Sequence, residues 1–190
     1  MSWPLFAVVA WVLFGAEIGF KDALRLGPTG VAPSFIIPLL VFVAIGAPQH
    51  VVWWTSFTLG LVMDLTFNVE LLHGAPPATI VGPYTLGFLL AGQLVITMRG
   101  LMMRRNPLTV AFLSVVAAAV CQIVVVGFYT ARSAFGDPIV FNPTSELIAR
   151  LGGALLTGAT GLVLALLLTP LAPALGLSGG QPRRYSRRMP

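Results

Sequence analysis

Residues 51–68 read Val51-Val-Trp-Trp-Thr-Ser-Phe-Thr-Leu-Gly60-Leu-Val-Met-Asp64-Leu-Thr-Phe-Asn68, an apolar run long enough to cross a lipid bilayer as one helix. A lone carboxylate, Asp64, sits inside it. Near the middle of a bilayer an ionised Asp costs roughly 2.5–3.5 kcal/mol on insertion scales, and less toward an interface. Asp64 is therefore expected to face protein or trapped water, and it is the first candidate for a functional residue.

Composition says the same of the whole chain. Of its 190 residues 57% are hydrophobic and only 9% charged, and the mean hydropathy is +0.92. Soluble domains carry about 25% charged residues, so this chain lacks the polar surface that would cover a water-facing core. It reads as an all-α integral membrane protein. The formal charge of +5 does not indicate nucleic acid, because the basic residues stand at segment ends and in the tail, not in a stripe with aromatics. Cys121 is the single cysteine, which leaves no disulfide framework and no cysteine pair for a metal.

Apolar stretches cover residues 5–20, 31–47, 51–68, 79–98, 108–129 and 151–175. A spanning helix needs about 20 residues, and the last four meet this easily. The first is short and carries Glu17. The second is short and carries Pro33 and Pro38, which a spanning helix tolerates only where neighbours satisfy the freed carbonyls. The first is not read as a cleaved signal peptide, because Met1-Ser-Trp-Pro4 has no positive charge and Glu17 interrupts the apolar core.

Lys and Arg in short loops set orientation. Arg99, Arg104 and Arg105 follow the fourth segment, and Arg183, Arg184, Arg187 and Arg188 crowd the tail, which places both regions in the cytoplasm. The loop holding His73 and the connection from 130 to 150 then lie outside. Six spans with both termini cytoplasmic put Lys21 and Arg25 outside, and those two charges favour five spans. Residues 31–47 lack the polar face of an interfacial helix, which favours six, with five as the alternative. The expected organisation is a compact transmembrane domain over 1–178 and a basic cytoplasmic tail over 179–190, the tail meeting lipid headgroups or an acidic partner. Trp3, Trp53, Trp54 and Tyr129 fall at span ends, as interfacial belts do.

Gly15 and Gly19, Gly87 and Ala91, and Gly153, Thr157 and Gly161 are spaced by four, which lets helices approach closely, within the bundle or with a foreign helix. Along its helix Asp64 lies about 20 Å from Val51 at 1.5 Å per residue, toward the outer leaflet, with Glu17 at a similar depth. Two carboxylates at one level read first as helix-to-helix hydrogen bonds or ion pairs with Lys21 or Arg25; a cation or proton path and a ligand or partner site are the alternatives. His50 and His73 are isolated, and no metal-ligand spacing, HExxH, nucleophile set or Gly-rich phosphate loop is found. No cofactor is expected.

Gly60-Leu-Val-Met-Asp64-Leu, then Gly82-Pro-Tyr-Thr-Leu-Gly-Phe-Leu-Leu-Ala-Gly-Gln93, then Arg104-Arg-Asn-Pro-Leu108, together resemble the rod shape-determining protein MreD family over roughly residues 48–175. The resemblance implies a polytopic protein of the bacterial inner membrane with about six helices. It would be similar in fold to the substrate-binding subunits of energy-coupling-factor transporters and would have no enzymatic activity. It also implies a scaffold of the rod complex, the elongasome, that binds MreC and links the MreB filament to peptidoglycan synthesis by RodA and its transpeptidase. On this reading Asp64 orders the outer half of the bundle, and Glu17 is a further structural or partner-binding candidate. Small-residue faces, with Gly60 and Gly87 among the candidates, receive a partner helix, and Arg99, Arg104 and Arg105, with Asn106 and Pro107 beside them, face cytoplasmic partners. The loop from 68 to 81 and the connection from 130 to 150 are longer than the family pattern. The competing reading is a vitamin-binding transport subunit, with Asp64 and Glu17 lining an outward pocket.

Overall fold

The second apolar segment, short and interrupted by proline, occupies the centre of the molecule. In the computed structural model, which describes residues 1–20, 23–24, 31–68, 79–102, 106–135 and 142–177, six helices follow one another. They are α1 (Trp3–Phe20), α2 (Ile36–Gly46), α3 (Gln49–Thr66), α4 (Pro83–Met98), α5 (Pro107–Ala134) and α6 (Pro143–Leu168). α2 is apolar all round, and a helix of that kind has to be buried. Ile36, Leu39, Leu40, Val41, Val43 and Ala44 are wholly enclosed, because α3, α4, α5 and α6 all pack against α2 and α1 lies on its remaining side. Pro33 precedes the helix. Pro38 falls in its first turn, where a backbone N–H has no partner within the helix anyway, so neither proline breaks a hydrogen bond.

α2 starts beside Glu17 near the end of α1 and finishes beside Arg99, just past the end of α4. It therefore runs from the Glu17 end of the bundle to the Arg99 end. The first and last described segments meet at the Arg99 end. There the Ser2 N–H donates to the Leu175 carbonyl at 3.1 Å, and the Ser2 hydroxyl donates to the Ala174 carbonyl at 2.8 Å.

Three helices, α1, α5 and α6, are long and apolar enough to cross a membrane by themselves. This reorders the expectation from sequence. α1, expected to be weak, qualifies because Phe6, Ala10, Leu13 and Glu17 form one inward stripe and the rest of its surface is apolar. α3 and α4 do not. α4 has 16 residues, and α3 carries Gln49, His50 and Asp64. These two depend on their neighbours within an all-α membrane bundle.

α4, α5 and α6 each begin with proline at the first helical position, after Gly82, Asn106 and Asn142 respectively, the position where its fixed φ suits a helix start. Gly82 has φ +128°, a conformation open to glycine alone at little cost. The connection expected between 130 and 150 is mostly helix, because α5 continues to Ala134 and α6 starts at Pro143.

Small residues set the helix spacing. A Cβ on Gly60 would stand 2.6 Å from the Thr85 Cα, and one on Gly161 2.8 Å from the Ser114 hydroxyl, so α3 meets α4 and α6 meets α5 at near backbone contact. Gly87 is closed in the same way by Cys121 of α5. Tyr129, expected in an interfacial belt, is buried instead, because it continues the inward stripe of Cys121 and Val125 at intervals of four. Trp3, Trp53 and Trp54 are exposed as belts require.

Candidate functional site

Asp64 is 1% exposed and faces the first turn of α4. Its carboxylate accepts from the Gly82 N–H at 2.9 Å, the Tyr84 N–H at 2.8 Å, the Thr85 N–H at 2.9 Å and the Thr85 hydroxyl at 2.6 Å. The first N–H groups of a helix have no partner within it, and in hydrocarbon they would have no water either. Gly82 carries no side chain to cap them. Asp64 does so from the neighbouring helix, with its charge at the positive end of the α4 dipole. Gly60, one turn earlier on the same face, makes room for that approach. Gly60 and Asp64 thus form one joint between α3 and α4.

Glu17 serves α2 in the same way. Its Oε2 accepts from the Phe35 N–H and from the Ser34 hydroxyl, the latter at 3.2 Å. The Ser34 main chain is tied to α6, its N–H donating to the Thr157 hydroxyl at 3.0 Å and its carbonyl accepting from the Thr160 hydroxyl at 2.8 Å. Non-helical backbone at this depth is thereby satisfied by protein. At the other end of α2, Arg99 donates from Nη1 to the carbonyls of Ala44 and Ala47. α2 therefore has an acid at its positive end and a base at its negative end, each supplied by another element.

Arg99 was expected to face cytoplasmic partners; its guanidinium instead turns back onto α2, because the last carbonyls of that buried helix have no other donor of their own. Asn106 caps α5, its side chain accepting from the Leu108 N–H at 2.9 Å, and Pro107 opens that helix. Arg104, Arg105, Lys21, Arg25, His73 and the basic tail lie outside the described residues. His50 is exposed at the start of α3.

A cavity of about 310 Å³ opens at the Glu17 end, lined among others by Glu17, Ser34, Tyr84, Gln122, Glu146 and Arg150. Asp64, expected beside Glu17 in such a pocket, is not among its lining residues; its oxygens are occupied by α4. Arg150 organises the polar wall. Its Nε lies 3.0 Å from Glu146 Oε2, and its Nη1 donates to the Tyr84 hydroxyl and to Gln122 Oε1, both at 3.0 Å. α4, α5 and α6 are linked through this one guanidinium.

On sequence alone Arg150 stands at the end of the 130–150 connection. The signal that would have moved it inward is Asn142-Pro143, a cap followed by proline at the first helical position, which starts α6 two turns before Arg150. Among the described residues no three His, Cys, Asp or Glu side chains come together as a metal set.

Compared with protein-family models, with curated proteins and with solved structures, the chain matches none. Its class rests on its own architecture: an all-helical membrane bundle whose buried charges cap helix ends.

Proposed function

We propose that this protein is a non-enzymatic scaffold of the bacterial cytoplasmic membrane, a rod-complex component of the MreD type. It holds a transmembrane helix of MreC and links the MreB filament to the RodA–transpeptidase synthase. The observation that carries the reading is the contrast among its small-residue pairs. Gly87 with Ala91, and Gly153 with Thr157 and Gly161, are consumed by internal contacts, whereas Gly15 and Gly19 on α1 have nothing within 4 Å. They share their outward face with Trp11, 79% exposed, opposite the stripe that ends in Glu17. A GxxxG pair on an outer face suits close approach of a partner helix. Asp64, Glu17 and Arg99 support the reading by acting as joints that stiffen a platform. Both termini and Arg99 then lie on the cytoplasmic side.

In-cell crosslinking followed by purification in mild detergent and mass spectrometry tests this. MreC and the peptidoglycan-elongation enzymes are expected with the wild-type protein and lost with Gly15→Leu/Gly19→Leu. The second reading, a substrate-binding subunit of an energy-coupling-factor vitamin transporter, draws support from the cavity at Arg150. Recovery of ATPase subunits in place of MreC would establish it and overturn the scaffold.

A further inference from the structure

We propose that the cavity at the Glu17 end is a binding site for an organic oxyanion, a carboxylate or phosphate carried on a small apolar body or on a lipid. Its volume, about 310 Å³, lies at the lower end of the range of small-molecule pockets. Tyr84 of α4, Gln122 of α5 and Arg150 of α6 give it a polar wall, and Ile37, Met63 and Phe67 add apolar lining for the body of the ligand.

The oxyanion end is defined by hydrogens that have no acceptor. Arg150 donates from Nη1 to the Tyr84 hydroxyl and to Gln122 Oε1, both at 3.0 Å, and from Nε to Glu146. A guanidinium only donates, so Gln122 has to turn its oxygen toward it and present its NH₂ on the other branch of the amide. The Tyr84 hydroxyl accepts from Arg150 and keeps its own hydrogen to give. The Arg150 Nη2, the Gln122 NH₂ and the Tyr84 hydroxyl hydrogen meet no acceptor among the described residues. They surround one point, since a single nitrogen holds Tyr84 and Gln122 together. Donors left so in a buried wall are costly. They outnumber the two lone pairs of one carbonyl oxygen and match the several lone pairs of a carboxylate or a phosphate, to which a guanidinium bonds most strongly.

The neighbouring carboxylates are committed to the protein. Glu146 binds the Nε of Arg150, leaving Nη2 to a ligand. Glu17 is turned to the start of α2, where its Oε2 accepts from the Phe35 N–H and the Ser34 hydroxyl among its partners. The site stands under either reading of overall function. Partner recovery by crosslinking reports on the outer face of α1, and ligand binding reports on the wall between α4, α5 and α6.

The test uses the full chain, delipidated in dodecyl maltoside and titrated calorimetrically with two oxyanions and their uncharged counterparts: benzoate against benzamide, and dihexanoyl phosphatidic acid against dihexanoylglycerol. Saturable binding of benzoate marks a soluble ligand, and binding of only the short-chain phosphatidic acid marks a lipid headgroup. Either is expected to bind about tenfold tighter than its uncharged counterpart, the worth of one charge-assisted contact. Gln122→Glu keeps the oxygen that Arg150 needs but replaces the donor with a repelling charge, and is expected to weaken the oxyanion about tenfold or more. Tyr84→Phe removes one neutral donor and is expected to weaken it about threefold to tenfold. Unliganded melting temperatures check that each variant is folded, and if one is not, the other decides. No saturable binding of either oxyanion, equal affinity for the uncharged counterparts, or wild-type affinity in the folded variants overturns the proposal.

Discussion

Replacing Asp64 separates a structural joint from a dispensable charge, and the structure supplies the expected order of effects. In Asp64→Ala the N–H groups of Tyr84 and Thr85, both buried, lose their acceptor. An unsatisfied buried donor costs about 1–3 kcal/mol, so the pair gives about 2–6 kcal/mol, a large part of a marginal total of roughly 5–15 kcal/mol. Asp64→Asn is milder. Its remaining oxygen can take the place of Oδ2, which accepts from Gly82, Thr85 N–H and the Thr85 hydroxyl, leaving the amide NH₂ opposed to the Tyr84 N–H. One orphaned donor and weaker neutral bonds cost about half as much, about 1–3 kcal/mol. Thr85→Val removes only the hydroxyl at 2.6 Å and is expected to cost about 1 kcal/mol. Tryptophan fluorescence during unfolding by SDS in mixed micelles reads all three. An Asp64→Asn protein within about 0.5 kcal/mol of wild type, the range of neutral surface changes, would refute the capping argument. So would an Asn variant less stable than the Ala variant.

Gly60→Val is expected to cost more than about 2 kcal/mol, because its Cβ meets main-chain atoms that cannot retreat; Gly15→Val and Gly19→Val should leave stability within about 0.5 kcal/mol while impairing partner recovery. Equal destabilisation by Gly60→Val and Gly15→Val in the same SDS titration would contradict the packing described. Arg99→Leu strips the donor from two carbonyls at the end of α2 and is expected to lower stability by about 1.5–3 kcal/mol; a wild-type melting curve with lost partner binding would return Arg99 to the role of a surface charge. For topology, single cysteines at His50 and Gly100 in a Cys121→Ala background should resist a membrane-impermeant maleimide in intact cells, and cysteines at Asn68 and Phe135 should react; the reverse pattern would invert the proposed orientation.

Much of this was legible from residue types alone. A chain this apolar has to be solvated by lipid, and in lipid every backbone polar group needs a partner within the protein. That is why an isolated Asp64 pointed to a buried contact. Gly82-Pro83 and Asn106-Pro107 begin helices in the structure. Asn142-Pro143 carries the same signal, which puts Arg150 two turns inside α6 and not in the 130–150 connection.

The membrane class, the six apolar segments and the need to satisfy Asp64 and Glu17 were determined by the sequence by itself, since each follows from composition and local chemistry. Which helix lies at the centre, and which residue caps which helix, were decided only by the tertiary structure. In water, hydropathy marks the inward face of a helix; in lipid both faces are apolar, so the enclosure of α2 leaves no periodic trace. The contacts of Glu17 with Phe35, Asp64 with Thr85, Arg99 with Ala47 and Arg150 with Tyr84 join residues 18 to 66 positions apart. Only packing brings such pairs together, because the groups they satisfy are ordinary backbone N–H and carbonyl groups, or side chains on other helices, that look alike all along the chain.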